Sequence, residues 1–248
     1  MNGVISVIGI GPGDKEYLTF KADQALQDAD VIIGYGTYID LIKDIVKGKE
    51  IINSGMTKEI ERARQAVEIA QKGKKVAVIS SGDPGVYGMA GIVLEMTGEQ
   101  VEVEIIPGVT AATAAAASLG APLMHDFAVI SLSDLLTPWN KIITRIEAAA
   151  LGDMVIVLYN PKSKGRPDNI LTAREIILWH RDPSTPVGLV RNAKRGNEEV
   201  IITTLKDMLN HNIDMLTTVI IGNSETVIQR NKMITPRGYQ NKKNYSKG

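Results

Sequence analysis

Short runs of β-branched and aliphatic residues alternate with longer amphipathic stretches, and this alternation constrains the fold more than any other feature of the chain. In the first half the runs at 4–8, 31–33, 76–79 and 103–106 read as strands, and 18–26, 60–70 and 91–96 read as helices. Within the second helix Ile60, Ala63, Val67 and Ala70 recur every three or four residues, the spacing of one helix face. Strands separated by helices predict parallel pairing, because a parallel connection has to cross the sheet and a helix makes that crossing. The second half repeats the pattern, with strands expected at 127–131, 154–158, 187–190, 200–203 and 218–221 and helices at 139–149 and 169–179. Pro138 suits the first helical position, where its missing N–H has no partner to lose. Arg195-Gly196-Asn197-Glu198 lies between two of these strands and reads as a hairpin turn. The expected class is α/β, with two α/β domains and mostly parallel sheets. The seam falls at Gly120-Ala121-Pro122, dividing an N-terminal domain 1–120 from a C-terminal domain 121–240, with 241–248 a polar, frayed tail.

With 44% hydrophobic and 23% charged residues, 248 residues suffice for a substantial core. Lys plus Arg and Asp plus Glu both number 28, so the basic surplus usual for a nucleic-acid partner is missing and none is expected. Cysteine is absent, which excludes disulfides, thiolate nucleophiles and Cys-ligated zinc or iron–sulfur clusters. His125, His180 and His211 lie far apart in sequence, so no protein-built metal site is expected. The opening MNGVISVIGIGPGD lacks a basic leader and its apolar run stops at glycines, so it reads as a first strand and not as a signal peptide. No stretch of about 20 apolar residues is available to span a membrane, and the expected location is the cytoplasm.

Three glycine loops follow strands. The first, Gly9-Ile10-Gly11-Pro12-Gly13-Asp14, is similar to a dinucleotide fingerprint, but Asp14 stands where the third glycine belongs and no acid follows the second strand. A Rossmann-like methyltransferase loop would carry an acid where Val7 stands. A tight strand-to-helix turn remains the plain alternative. The second loop, Ser80-Ser81-Gly82-Asp83-Pro84-Gly85-Val86-Tyr87-Gly88, lies at the carboxyl end of an expected parallel strand, the edge where open α/β sheets bind ligands; Asp-Pro-Gly is also an ordinary turn signal. The third, Ile106-Pro107-Gly108-Val109-Thr110, leads into an alanine-rich helix with Thr110 as a natural N-cap. So many small residues fit either close helix packing or a helix start that admits a ligand.

Together and in this order the three loops resemble those of the tetrapyrrole methyltransferases, the class III S-adenosylmethionine enzymes, over nearly the whole chain. The segments Gly34-Tyr35-Gly36-Thr37-Tyr38, His125-Asp126-Phe127, Ser131-Leu132-Ser133-Asp134-Leu135-Leu136-Thr137-Pro138-Trp139, Tyr159-Asn160-Pro161-Lys162-Ser163-Lys164 and Thr235-Pro236-Arg237-Gly238-Tyr239 are similar to the branch that methylates carbon 17 of precorrin-3B or cobalt-factor III and contracts the ring in cobalamin biosynthesis. Some members of that branch carry an added iron–sulfur domain, for which this chain has neither cysteines nor length. The resemblance implies an inter-domain cleft holding S-adenosylmethionine (S-adenosylhomocysteine after transfer), a tetrapyrrole acceptor and a homodimer. By motif position it implies donor contacts at Pro12, Ser81, Gly82, Asp83, Val86, Thr110, Ala111, Asn160, Ala193 and Thr218, the alternative for Asp83 being a turn-forming residue. Acceptor carboxylates would suit Lys162, Lys164, Arg166, Arg191, Lys194 and Arg195, each of which also fits a solvated surface charge. Asp14, His125 and Asp134 are acid/base candidates for ring contraction, and a helix cap or core hydrogen bond explains each as well. Methylation at another precorrin carbon, or a non-catalytic nucleotide-binding module, are the competing readings.

Overall fold

In the computed structural model, which describes residues 3–55, 57–99 and 101–242, the chain divides into two units, one up to Ala111 and one from Ala112 on. The first unit runs β1 (Val4–Gly9), α1 (Phe20–Asp28), β2 (Val31–Tyr35), α2 (Gly36–Ile42), β3 (Glu50–Ser54), α3 (Glu59–Ala70), β4 (Val76–Ser80), α4 (Ala90–Thr97) and β5 (Glu102–Ile106). Its five strands are parallel in the order β3-β2-β4-β1-β5. Alternate residues of the central strands serve opposite faces. Val76 and Val78 pack with Ala63, Ala66 and Ala70 of α3, while Ala77 and Ile79 pack with Ala22 and Leu26 of α1 and Ile39 of α2. Burial on both faces explains why these strands are continuously apolar. The start of α1 is fixed by Thr19, whose hydroxyl accepts from the Ala22 amide at 3.1 Å.

The second unit contains α5 (Ala111–Leu119, whose first residue ends the first unit), β6 (Gly120–Ala121), β7 (Phe127–Ser131), α6 (Trp139–Leu151), β8 (Val155–Tyr159), α7 (Asn169–Leu178), β9 (Pro186–Arg191), β10 (Glu199–Thr204), β11 (Thr217–Ile221), β12 (Val227–Gln229) and β13 (Lys232–Ile234). Its main sheet has the order β10-β9-β11-β8-β7. One face packs Ile156, Leu158, Leu189, Val219 and Ile221 against Ile142 and Ile146 of α6 and Ala173 and Ile177 of α7. On Gly188 of β9 a Cβ would lie 2.2 Å from the Leu119 side chain of α5, so only glycine admits that helix so closely. Strands β12, β13 and β6 form a small separate sheet.

The expectation of parallel pairing therefore needs correction in the main sheet of this unit, where β7–β8 is parallel and β8–β11, β11–β9 and β9–β10 are antiparallel. For β9–β10 the reason is that β9 returns directly into β10 through a hairpin, with no helix to carry a crossover. Pro138 is corrected too: its ψ of 136° is extended, which makes it the N-cap of α6 with Trp139 the first helical residue. The units part at Ala111/Ala112, and the seam expected at Gly120-Ala121-Pro122 lies within the second unit. Of the expected tail 241–248, Asn241 closes a short 3-10 helix, and residues 243–248 lie outside the described residues. Among the described residues no helix is long and apolar enough to cross a membrane.

Candidate functional site

Strand order decides which loops meet. In the first unit β4, β1 and β5 are neighbours and parallel, with Gly9 level with Ser80 and Ile8 level with Ile106, so the three glycine loops leave the sheet side by side. Gly11 and Gly82 exchange backbone hydrogen bonds of 3.1 and 2.8 Å, and Ile10 donates to the Ser80 carbonyl at 2.9 Å. A Cβ on Gly108 would lie 2.2 Å from the Gly82 carbonyl oxygen and 2.8 Å from Gly9, so three backbones touch where side chains would hold them apart. Gly82 also has φ +68°, which L side chains rarely adopt.

Asp83 ties this cluster together. One carboxylate oxygen accepts from the Gly85 amide at 2.8 Å within its own loop, and the other accepts from the Gly108 amide at 3.1 Å in the next. Val86 donates to the Asp83 carbonyl at 3.3 Å. Around the latch Pro12 is buried, and Ser81, Val86, Thr110 and Ala111 are half-buried. Asp14 is exposed at the start of a short 3-10 helix, its carbonyl accepting from the Tyr17 amide at 3.0 Å. None of the three loops carries a lysine or arginine.

In the second unit the antiparallel pairings gather another set. The end of β8 lies beside the end of β7, with Tyr159 level with Ser131. Because β11 runs against β8 and β9 against β11, the start of β11 and the end of β9 reach that same edge. Asn160, Thr218, Arg191, Ala193, Lys194, Arg195, Asp134 and the segment carrying Lys162, Lys164 and Arg166 thus all belong to one edge of the sheet. His125 does not: it precedes β7, while Asp134 follows it. A strand of five residues at about 3.3 Å each separates them, too far for a joint proton transfer. His125 Nδ1 accepts from the Asp126 amide at 2.9 Å and stands 3.6 Å from the Asp126 carboxylate.

Asn160, at φ +51°, donates to the Ser131 hydroxyl at 2.9 Å and joins the ends of β8 and β7. Lys162 and Lys164 are exposed; Lys194 and Arg195 are half-buried, and Ala193 and Thr218 are buried. Arg191 is committed: its Nε donates to Asp214 at 2.8 Å and its Nη1 to Glu199 at 3.3 Å. That bond to Asp214 raises the Arg191 pKa above the ordinary value. Burial pushes the Asp214 carboxyl up, but bonds from Arg191, the Leu216 amide and the Thr217 hydroxyl outweigh it and hold the pKa low. Glu198 behaves likewise: burial raises it, and bonds from the Ser118 hydroxyl at 2.6 Å and the Lys194 amide at 2.8 Å leave it low. Glu198 thereby pins the turn carrying Ala193 and Lys194 to α5, a role the sequence reading missed because Glu198 looked like one member of a polar turn. Tyr159 was also missed; its hydroxyl accepts from the Ala112 amide at 2.7 Å in the first turn of α5. A tyrosine ending an otherwise aliphatic buried run was the available signal. Among the described residues no group of three or more His, Asp or Glu is placed to hold a metal ion.

Comparison with known proteins adds a second line. The model of the family Tetrapyrrole (Corrin/Porphyrin) Methylases matches residues 4–209. The chain is 55% identical to the cobalt-factor III methyltransferase of Priestia megaterium over 98% of its own length, spanning 46% of that protein. It is 52% identical to the probable cobalt-factor III C(17)-methyltransferase of Salmonella typhimurium, covering 95% of this chain and 99% of that one. The crystal structure of the methyltransferase CobJ superposes with a TM-score of 0.90 at 36% identity, covering 94% of this chain and 100% of that one. Uroporphyrin-III C-methyltransferase from Thermus thermophilus, complexed with S-adenosylhomocysteine, gives a TM-score of 0.67 at 26% identity, covering 89% and 97%.

Proposed function

Because the chain belongs to the tetrapyrrole (corrin/porphyrin) methylase family, we propose that it methylates carbon 17 of cobalt-factor III or precorrin-3B with contraction of the ring, in cobalamin biosynthesis, using S-adenosylmethionine as donor. The observation that carries the reading is the locked cluster of Gly9, Gly82 and Gly108 at the carboxyl edge of the first sheet. Such backbone offers amides and carbonyls to an adenosine and an amino-acid tail at close range. The donor set also fits in charge, since the three loops hold Asp14 and Asp83 and no cation, and a sulfonium is positive. The relatives' printed activities add support.

The donor supplies a methyl group on an already activated sulfur, so no residue has to act as a nucleophile. The work of the protein is positioning, which lowers barriers by several kcal/mol when reacting atoms are held in line (about 7–11 at best). In this reading Pro12, Ser81, Gly82, Val86, Thr110 and Ala111 hold the donor, and Asn160, Ala193 and Thr218 are donor contacts by motif position alone. Asp83 acts mainly through the loops it fastens, because both of its carboxylate oxygens already accept backbone amides. Lys162, Lys164, Arg166, Lys194 and Arg195 are the cations that meet acceptor carboxylates, and Arg191 supports them from its ion pair. Asp14 moves protons in ring contraction, while His125, at the far end of β7, takes no part in that step. The protein works as a homodimer in the cytoplasm, which its mass in solution and cell fractionation test.

The decisive experiment is anaerobic incubation with methyl-labelled S-adenosylmethionine and either cobalt-factor III or metal-free precorrin-3B, read by mass spectrometry. Label on one of them establishes reaction and route. No transfer to either, from protein that binds S-adenosylhomocysteine, refutes the carbon-17 assignment.

A further inference from the structure

Arg166 is poorly matched by the groups around it. Its side chain is only 14% exposed, and its Nη1 is sealed from water with no hydrogen-bond partner among the described residues. Its Nε reaches the Ser163 hydroxyl at 3.3 Å and stands 3.8 Å from Asp134, beyond hydrogen-bond range. A guanidinium keeps its charge and offers five donors, so leaving it this poorly matched is unfavourable. Other buried or half-buried arginines among the described residues are better served. Arg174 donates to two carbonyls at 2.7 and 2.6 Å, and Arg62 donates to Ser54, Gly55 and Glu59 at 2.9 to 3.0 Å. Arg181 also has nitrogens without hydrogen bonds, but it is in ion contact with Asp153 and donates to the Met154 carbonyl at 2.9 Å.

The backbone of Arg166 is fixed while its head is loosely held: Ser163 and Arg166 exchange backbone bonds of 3.2 and 3.1 Å. Asp134 sits in the irregular segment between β7 and α6 and is 40% exposed, free to turn toward water. It is followed by Leu135 and Leu136, which are 69% and 98% exposed. A loosely paired guanidinium beside exposed leucines matches a flat apolar macrocycle edged with carboxylates.

We propose that Arg166 binds one peripheral carboxylate of the tetrapyrrole, and that Asp134 is an internal carboxylate that occupies Arg166 until the acceptor displaces it. This rests on the tetrapyrrole reading above. The acceptor carboxylate takes the two-pronged geometry that Asp134 does not reach, and repulsion between the two carboxylates drives Asp134 outward.

The test is an anaerobic absorbance titration of cobalt-factor III into wild type, Arg166→Met, Arg166→Lys, Asp134→Asn and the Arg166→Met/Asp134→Asn double variant, with S-adenosylhomocysteine calorimetry on each as the check of fold. Losing a charge-assisted bond should weaken acceptor binding in Arg166→Met by about tenfold or more. Arg166→Lys, which keeps the charge and loses the fork, should also bind more weakly than wild type. Asp134→Asn should bind the acceptor more tightly, and should change nothing once Arg166 is methionine. If Arg166→Met does not fold, Arg166→Lys and Asp134→Asn decide. Equal binding by the arginine variants and wild type, or no tightening in Asp134→Asn, overturns the proposal alone. Wild type that binds S-adenosylhomocysteine but not cobalt-factor III overturns the tetrapyrrole reading and this inference with it.

Discussion

Replacing Gly108 with alanine tests whether backbone contact among three loops builds the donor site. The new Cβ would lie 2.2 Å from the Gly82 carbonyl oxygen and 2.8 Å from the carbonyl of Gly9. A carbon and an oxygen settle at about 3.3 Å, so the loops must part by roughly 1 Å. The obstructing atoms are backbone, and no rotamer change relieves them. Overpacking of this kind costs about 1–3 kcal/mol. Parting the loops also stretches the Gly82–Gly11 bonds of 2.8 and 3.1 Å and the Gly108–Asp83 bond of 3.1 Å. At about 1 kcal/mol for each of the three bonds lost, the total comes to about 4–6 kcal/mol. Gly82→Ala is the comparison. A Cβ there meets nothing closer than 3.6 Å, and the cost is the left-handed backbone alone, about 1–2 kcal/mol. Urea unfolding and calorimetric titration of S-adenosylhomocysteine read where the cost falls. Gly108→Ala should lose about a hundredfold or more in donor affinity, or an equivalent stability, and Gly82→Ala about tenfold. Gly108→Ala matching wild type in both assays, or Gly82→Ala proving the worse, would refute the reasoning.

Other outcomes follow from the second unit. Arg181 has a side chain 2% exposed and paired with Asp153, which also accepts from the Ser224 amide and hydroxyl at 3.0 and 2.6 Å. Asp153→Ala strands that buried charge and should cost about 3–5 kcal/mol in thermal or chemical unfolding, more than Arg181→Met, which removes the charge itself; the reverse order would be evidence against a buried pair. Asp214 and Glu198 both have folded-state pKa values below their ordinary ones. Their stabilisation is complete above the ordinary carboxylate range, about pH 4, and fades as the pH falls through the folded values. The urea midpoint should therefore drop in acid, and the drop should shrink in Glu198→Gln; an unchanged slope in that variant argues against the assignment. Tyr159→Phe removes the acceptor of the Ala112 amide, and should cost about 1 kcal/mol and speed hydrogen exchange at that amide.

Much of the first unit was legible in order along the chain. Strands β1, β2, β4 and β5 and helices α1, α3 and α4 stand within about two residues of their expected positions, because strands buried on both faces and helices with one apolar face leave strong periodic marks. Strand β3 was missed: Glu-Ile-Ile-Asn-Ser lies at the sheet edge with polar residues at both ends, too short and too polar to register. Helix α2 was missed because Gly36 and Tyr38 in its first turn read as loop chemistry. The hairpin at Arg195-Gly196-Asn197-Glu198 was legible, yet its consequence for the whole second sheet was not drawn.

By itself the sequence determined the local vocabulary: which runs are strands, where glycine must let backbones approach, and the absence of thiol chemistry. Tertiary structure decided the rest. The order β3-β2-β4-β1-β5 brings the loops after β1, β4 and β5 together, although the last two lie roughly 70 and 100 residues from the first. The parallel and antiparallel pairings of the second sheet together sort Asp134, Asn160, Arg166, Ala193 and Thr218 onto one edge and leave His125 at the other. A strand's neighbours are chosen by packing across the whole domain, and adjacency of this kind leaves no periodic trace in the residues themselves.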